Sequence, residues 1–165
     1  MNETVHTSVP RELLDLDLSQ VDTSFTVLSG GLYELVVKEA SVEKTKDGQG
    51  DMLVLKLATL RPAKDIKGQD VKEGQMVFHR VGLQPTDKYD YVAIAKNVAR
   101  VTQALRPSVS MKVEQVFNGA FASACKAFEG RTLTAKLEAL PEGVDKKSGR
   151  QLPPRNEVSQ LEKAK

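Results

Sequence analysis

The sequence predicts a mainly β domain with helices inserted between its third and fourth strands. Runs in which apolar and polar residues alternate recur along the 165-residue chain, as expected of half-buried strands. Between about residues 86 and 129 the apolar residues recur instead at steps of three and four, which is typical of amphipathic helices. With 40% hydrophobic and 28% charged residues, the chain can supply the core and the surface of one domain.

An acidic arm is expected to precede this domain. Residues 1–27 contain five carboxylates and one arginine, and they show no sustained periodicity of apolar residues. We therefore expect the folded domain to span residues 28–165.

A long hairpin is expected to open the domain. Residues 32–42 are rich in strand formers, and residues 44–50 supply the glycines and polar residues of a turn. The second strand, at residues 51–60, places Leu53, Leu55 and Leu57 on one face. We expect these leucines to face the core.

The third strand is expected at residues 74–82, after a polar connection at residues 61–72. Its two alternating sets are Val77, His79 and Val81 on one face and Met76, Phe78 and Arg80 on the other. The alternation alone leaves open which of these faces is buried. We interpret His79 as a surface residue of the strand, because no second metal ligand lies near it in the sequence.

The first inserted helix is expected to follow this strand. Thr86 or Asp87 is expected to cap its start, and Pro107 to end it. Its buried stripe is expected to begin at Tyr91, which leaves Tyr89 as the exposed tyrosine. The stripe comprises Tyr91, Ile94, Val98, Val101 and Leu105, and the solvated side comprises Lys96, Asn97, Arg100 and Gln103.

Two shorter helices are expected after Ser110, with a break near Asn118 and Gly119 and an end at Gly130. One face of the second combines Phe121, Ala124, Cys125 and Phe128. Because this face is apolar, we interpret Cys125 as a small buried packing residue rather than a nucleophile.

Two further strands are expected to complete the domain. Residues 131–139 alternate clearly, with Leu133, Ala135 and Leu137 on one face, whereas residues 155–162 alternate weakly. A loop at residues 141–154 joins the two strands.

Three strands, a helical insertion and two more strands match the element order of an OB-fold, a five-stranded Greek-key barrel. A β-sandwich or another small barrel would use the same strand patterns, so these alternatives stay open. An OB-fold binds oligomers across its second and third strands, with help from the loops that join strands one to two and four to five. Both of those loops are basic in this chain.

The candidate interface combines these loops with an aromatic ring on the third strand. A ring beside cations suits a single nucleic-acid strand, because unstacked bases offer ring faces while phosphates offer charge. Phe78 and Arg80 qualify if Val77 and Val81 face inward. The candidate nucleic-acid-binding residues are Lys44, Lys46, Lys56, Phe78, Arg80, Tyr89, Lys146, Lys147 and Arg150.

The composition argues against an enzyme. One cysteine and two histidines are too few for the usual zinc sites, and no glycine-rich phosphate loop is followed by a helix. We therefore expect no catalytic residue, no metal and no cofactor. The single cysteine indicates a reducing compartment, and the chain has no apolar run of about eighteen residues and no export signal. We expect a cytoplasmic protein that does not bind membranes.

Several stretches of the chain are similar to those of one family. Residues 16–19 and 29–37 are similar to a short acidic lead-in followed by a glycine-tyrosine strand. Residues 45–48 resemble that family's first hairpin, residues 128–131 the entry to its fourth strand, and residues 155–158 its last strand. In these stretches the chain resembles phage-encoded OB-fold single-stranded DNA-binding proteins.

The resemblance implies sequence-tolerant binding of single-stranded DNA during replication, recombination or repair, in the cytoplasm of a bacterial host. It also implies replication or recombination proteins as partners, and often a homo-oligomer. Single-stranded RNA would satisfy the same stacking and charge. The chain departs from the pattern at residues 160–165, which are net basic where many such proteins carry an acidic tail.

The alternative function is that of a protein-binding or structural β-barrel, such as an assembly or virion component. Such a module would pair an exposed strand edge with a partner chain and would have no affinity for nucleic acid.

Overall fold

A five-stranded antiparallel sheet forms the centre of the protein in a computed structural model of the chain. The structure describes residues 11–20, 26–46, 48–146 and 149–163. The main strands are β1 (Gly31–Lys44), β2 (Asp51–Thr59), β5 (Met76–Gly82), β6 (Thr132–Leu140) and β9 (Arg155–Glu162). Two short hairpins lie between them, β3 (Ala63–Lys64) with β4 (Asp70–Val71) and β7 (Gly143–Val144) with β8 (Gln151–Leu152).

The main strands lie in the order β5-β2-β1-β6-β9, and every neighbouring pair is antiparallel. Strand β1 pairs with β6 near its start, where Gly31 lies opposite Leu137, and with β2 up to its end, where Lys44 lies opposite Asp51. A bulge next to Glu39 bends β1 between these two partners. Within the described ranges no strand pairing joins β5 to β9, so the sheet is not closed. The prediction of a mainly β domain is confirmed.

Helices lie on the chain between β5 and β6. They are α2 (Tyr91–Ala104), α3 (Val113–Phe117), α4 (Phe121–Ala124) and a 3-10 helix (Cys125–Phe128), whereas α1 (Arg11–Leu14) and a 3-10 helix (Leu18–Gln20) precede the sheet. In the part of the chain that the structure describes, no helix is long and apolar enough to cross a membrane.

The start of α2 differs from the prediction in two ways. Its cap is Asp90, whose carboxylate accepts a hydrogen bond of 2.8 Å from the amide of Ala93, and neither Thr86 nor Asp87 caps it. Thr86 instead accepts hydrogen bonds from two amides of the preceding turn. Tyr91 is exposed rather than buried, because it lies in the first turn, ahead of the buried stripe that starts at Ile94.

The core combines buried residues of the five-stranded sheet with buried residues of the helices. The prediction for the second strand is confirmed, since Leu53, Leu55 and Leu57 are fully buried. The prediction for Cys125 is also confirmed, because it is buried next to Phe128 in the same cluster. The core further includes Leu28, whose backbone exchanges two hydrogen bonds of 2.8 Å with the amide side chain of Asn156 on β9. This contact fixes the start of β9 against the segment that leads into β1.

Candidate nucleic-acid interface

The gap between β5 and β9 is an open groove. Successive antiparallel pairings make β5 and β9 run in the same direction on either side of it. A hollow of about 650 Å³ lies between residues 75–80 and residues 153–158. A second hollow of about 430 Å³ continues it toward α2, and the two share His79, Arg80 and Val158. We call the two hollows together the β5–β9 groove.

Phe78 and Arg80 lie on the exposed face of β5, next to this groove. Val77 and Val81 are buried, which shows that the opposite face of β5 is the exposed one. Phe78 is consequently 42% exposed, and the guanidinium carbon of Arg80 lies 5.4 Å from the centre of its ring. Phe78 and Arg80 therefore satisfy the condition for an interface, which was that Val77 and Val81 face inward. Together they offer an aromatic ring and a cation within one small area.

Lys56 lies directly opposite Phe78 in the neighbouring strand β2. Its ammonium group is 3.1 Å from a carboxylate oxygen of Glu39, which lies opposite it in β1. Both side chains are partly exposed, and an ion pair of this kind contributes about 1 kcal/mol or less. A phosphate that approaches Lys56 can therefore compete with Glu39 for the ammonium group.

Three further side chains line the groove at its two ends. Arg155 lies at the end near the β7–β8 hairpin, and its guanidinium is 3.4 Å from the carboxylate of Glu157. Tyr89 and Arg100 lie at the end near α2, where Arg100 donates a hydrogen bond of 2.6 Å to Asn97. Tyr89 is exposed, as the sequence predicted.

Sequence reasoning missed both arginines. The helical period predicts Arg100 on the solvated side of its helix, and Arg155 begins a strand whose alternation is weak. Their position beside β5 depends on how β9 and α2 pack across the molecule, and no local pattern carries that information.

His79 differs from the surface position that the sequence predicted. It lies on the same face as Val77 and Val81, is only partly exposed, and lines both hollows of the groove. Its burial lowers the pKa of the imidazole, because removal of water disfavours the charged form. At neutral pH it therefore contributes a neutral polar group to the groove.

The basic loops lie at opposite ends of β1. Lys44 closes the β1–β2 hairpin with a 2.7 Å ion pair to Asp51, and Lys46 is exposed in the turn that follows. Lys146 and Arg150 are exposed in the segment between β7 and β8. Lys147 lies outside the described residues.

The β5–β9 groove runs between these two loops. Its lower end is lined by Pro153 and Pro154, which lead from the β7–β8 hairpin into β9. Its upper end is lined by Gln84. The Gln84 side chain packs so closely on Gly50 that a methyl group added to Gly50 would lie 2.8 Å from it. The described residues of the two loops thus lie at the two ends of the groove.

The described residues include no group of three histidines, cysteines or carboxylates that could hold a metal ion. The thiol of Cys125 is buried, and burial raises its pKa, so it is protonated at neutral pH.

Comparison with known proteins gives no match, either among protein-family models or among curated proteins. The features that carry functional information are therefore the β5–β9 groove, its aromatic rings and its arginines.

Proposed function

We propose that the protein binds single-stranded DNA along the β5–β9 groove, without sequence preference and without catalysis. The observation that carries this proposal is the exposed ring of Phe78, with the guanidinium of Arg80 beside it, at the edge of an open groove. Bases that stack on aromatic rings, and phosphates that meet cations, are the usual contacts of such proteins.

We further propose that the sheet is a partly open OB-fold barrel. The order β6-β1-β2-β5 supports this, because a fourth main strand that returns beside the first is the arrangement of a Greek key. β9 continues the sheet beyond β6, and the helices follow the third main strand. OB-folds bind oligomers across their second and third strands, which here correspond to β2 and β5.

The groove favours a single strand over a duplex for a chemical reason. A stacking ring needs an unpaired base face, and duplex DNA hides these faces inside its stack. The seven residues of β5 span about 23 Å, so the groove has room for only a few nucleotides. Arg80, Arg100 and Arg155 line the groove, and we expect them to bind the phosphates of the strand.

The biological setting follows from the resemblance to phage-encoded single-stranded DNA-binding proteins. We propose that the protein covers single-stranded intermediates of replication, recombination or repair of a phage genome, in the cytoplasm of its bacterial host. Other replication or recombination proteins would then be its partners.

The test is fluorescence anisotropy with a labelled oligothymidine, a duplex of equal length and several salt concentrations. We expect tight binding of the single strand only. The logarithm of the binding constant should fall with the logarithm of salt concentration, with a slope of about 0.7 per neutralised phosphate. Absence of binding at low salt would overturn the proposal.

Among the described residues no further strand pairs with the outer edges of β5 and β9. This supports a second candidate, a module that pairs such an edge with a strand of a partner protein. This function predicts a defined complex in size-exclusion chromatography with no nucleic-acid absorbance. Copurified nucleic acid together with strand-selective binding would exclude it as the main activity.

A further inference from the structure

Two aromatic rings form an exposed pair beyond the upper end of the β5–β9 groove. The rings of Tyr91 and Phe117 meet edge to face, with centroids 5.0 Å apart and planes at 89°. Tyr91 is 59% exposed and Phe117 is 38% exposed, although residues of this size usually bury most of their surface. Val116 makes the buried contact of α3, so the packing of α3 does not explain why the two rings are exposed. We call the two rings the helical aromatic pair.

A hollow of about 500 Å³ lies next to the helical aromatic pair and adjoins the groove at Gln84. Gln84 lines both this hollow and the upper end of the β5–β9 groove. The polar lining of the hollow next to the helical aromatic pair includes the amide side chains of Gln84 and Asn118, which offer hydrogen-bond donors and acceptors. The one carboxylate among its described lining residues is Asp51, and the ammonium of Lys44 lies 2.7 Å from it.

We infer that a bound single strand continues from the groove past Gln84 and stacks a base on the helical aromatic pair. This inference rests on the proposed function and extends it by a second site. Because the hollow adjoins the groove at Gln84, we assign it to the same occupant, nucleic acid. The ammonium of Lys44 partly offsets the charge of Asp51, the one carboxylate among the described lining residues. Stacking on Tyr91 or Phe117 needs no particular base, since every base has a π face.

Such a site has a measurable signature in the dependence of affinity on strand length. A strand of about 5 nucleotides fills the groove alone, whereas one of about 15 reaches beyond it, and these lengths lie near the ends of the range for single barrels. Phe117→Leu and, separately, Tyr91→Ala should each weaken binding of the longer strand roughly five- to 150-fold, the usual effect of losing a stacking ring. Binding of the shorter strand should not change.

The chain offers a matched control in Val113→Ala. Val113 is an exposed apolar residue of the same helix as Phe117, but it lines a different hollow, between α2 and α3. This variant should bind both strands as the parent does. Circular dichroism melting of each variant shows whether weaker binding results from a lost contact or from loss of the fold.

Three outcomes would overturn the inference. The first is unchanged affinity of Phe117→Leu and Tyr91→Ala for the longer strand, and the second is an equal loss for both lengths. The third is concentration-dependent association of the parent that Phe117→Leu abolishes, since the pair would then bind a second copy of the chain. If the parent binds neither strand, the proposed function itself fails, and this result differs from all three.

Discussion

Phe78 is the residue whose replacement tests the groove most directly. Phe78→Ala removes a ring that is partly exposed, so we expect the protein to stay folded and to lose about 1 to 3 kcal/mol of binding free energy for the base that stacks there. Anisotropy titration with oligothymidine measures the loss. Met76→Ala is the matched control, because Met76 lies on the same face of β5 with a similar exposure but has no ring.

Two results would contradict this prediction. If Phe78→Ala and Met76→Ala weaken binding equally, the face of β5 contributes apolar area and not a stacking platform. If Phe78→Ala unfolds the protein, Phe78 belongs to the core and the face of the strand has been assigned wrongly.

His79 should make stability depend on pH between neutral and mildly acidic conditions. Its pKa in the folded protein lies below the unfolded value of 6.5, because burial disfavours the imidazolium. As pH falls through 6.5, the unfolded chain takes up a proton before the folded protein does, so the free energy of unfolding should decrease. Urea unfolding at a series of pH values measures the change, and His79→Gln should remove it. A parent whose stability rises as pH falls through this window would show that His79 gains a partner on folding.

The residue scale also shows what the sequence could and could not predict. The alternation of the third strand placed Phe78 and Arg80 on one face, but only the burial of Val77 and Val81 showed that this face is exposed. Tyr91 fits the helical period, but the prediction that it is buried was wrong. A helical period gives the direction of a side chain and does not show whether another element covers it.

At the scale of elements, the cap of α2 gives the clearest prediction. Asp90→Ala removes the side chain that accepts the hydrogen bond from Ala93, and we expect a loss of about 1 kcal/mol of stability, as is usual for such caps. Asp87→Ala is the control, since it changes the same charge three residues earlier and removes no cap. Urea unfolding of both variants measures the difference. A larger loss for Asp87→Ala would show that the helix starts earlier than the structure places it.

Elements with a sustained period were the most predictable, and the two short hairpins were not predicted. Strands β2, β5 and β6 and helix α2 follow alternations or helical steps over seven or more residues. The short hairpins β3–β4 and β7–β8 have strands of only two residues, which is too short for any period, and the sequence predicted loops there. The β7–β8 hairpin matters for the site, because it sets where Lys146 and Arg150 lie relative to the start of β9.

At the scale of the whole molecule, the groove depends on contacts between distant parts of the chain. β5 and β9 are separated by more than 70 residues, and they face each other only because β1 bends and pairs with both β2 and β6. The sequence predicted the five main strands but not how far apart the two edges lie. It therefore predicted the two alternating sets of β5 and the two loops, but not which face of β5 is exposed, and it missed the wall that β9 and α2 supply.

The distribution of charge, rather than its sum, should control the affinity for DNA. The formal net charge is only +2, so a general attraction of the whole protein for phosphates is small. Arg100→Gln and Arg155→Gln each remove one cation from the groove, and each should weaken binding and reduce the salt slope by about 0.7. Anisotropy titrations at several salt concentrations measure both quantities.

Arg61→Gln separates the effect of where a charge lies from the effect of the net charge. It removes the same charge, but Arg61 lies outside the groove, where its guanidinium is 3.2 Å from the carboxylate of Glu34. If local contacts dominate, Arg61→Gln should leave the salt slope unchanged while the two groove variants lower it. An equal reduction by all three would mean that net charge sets the affinity, and the groove would then have no special part in binding. Because the three variants carry identical net charge, any difference among them in slope must come from where each arginine lies.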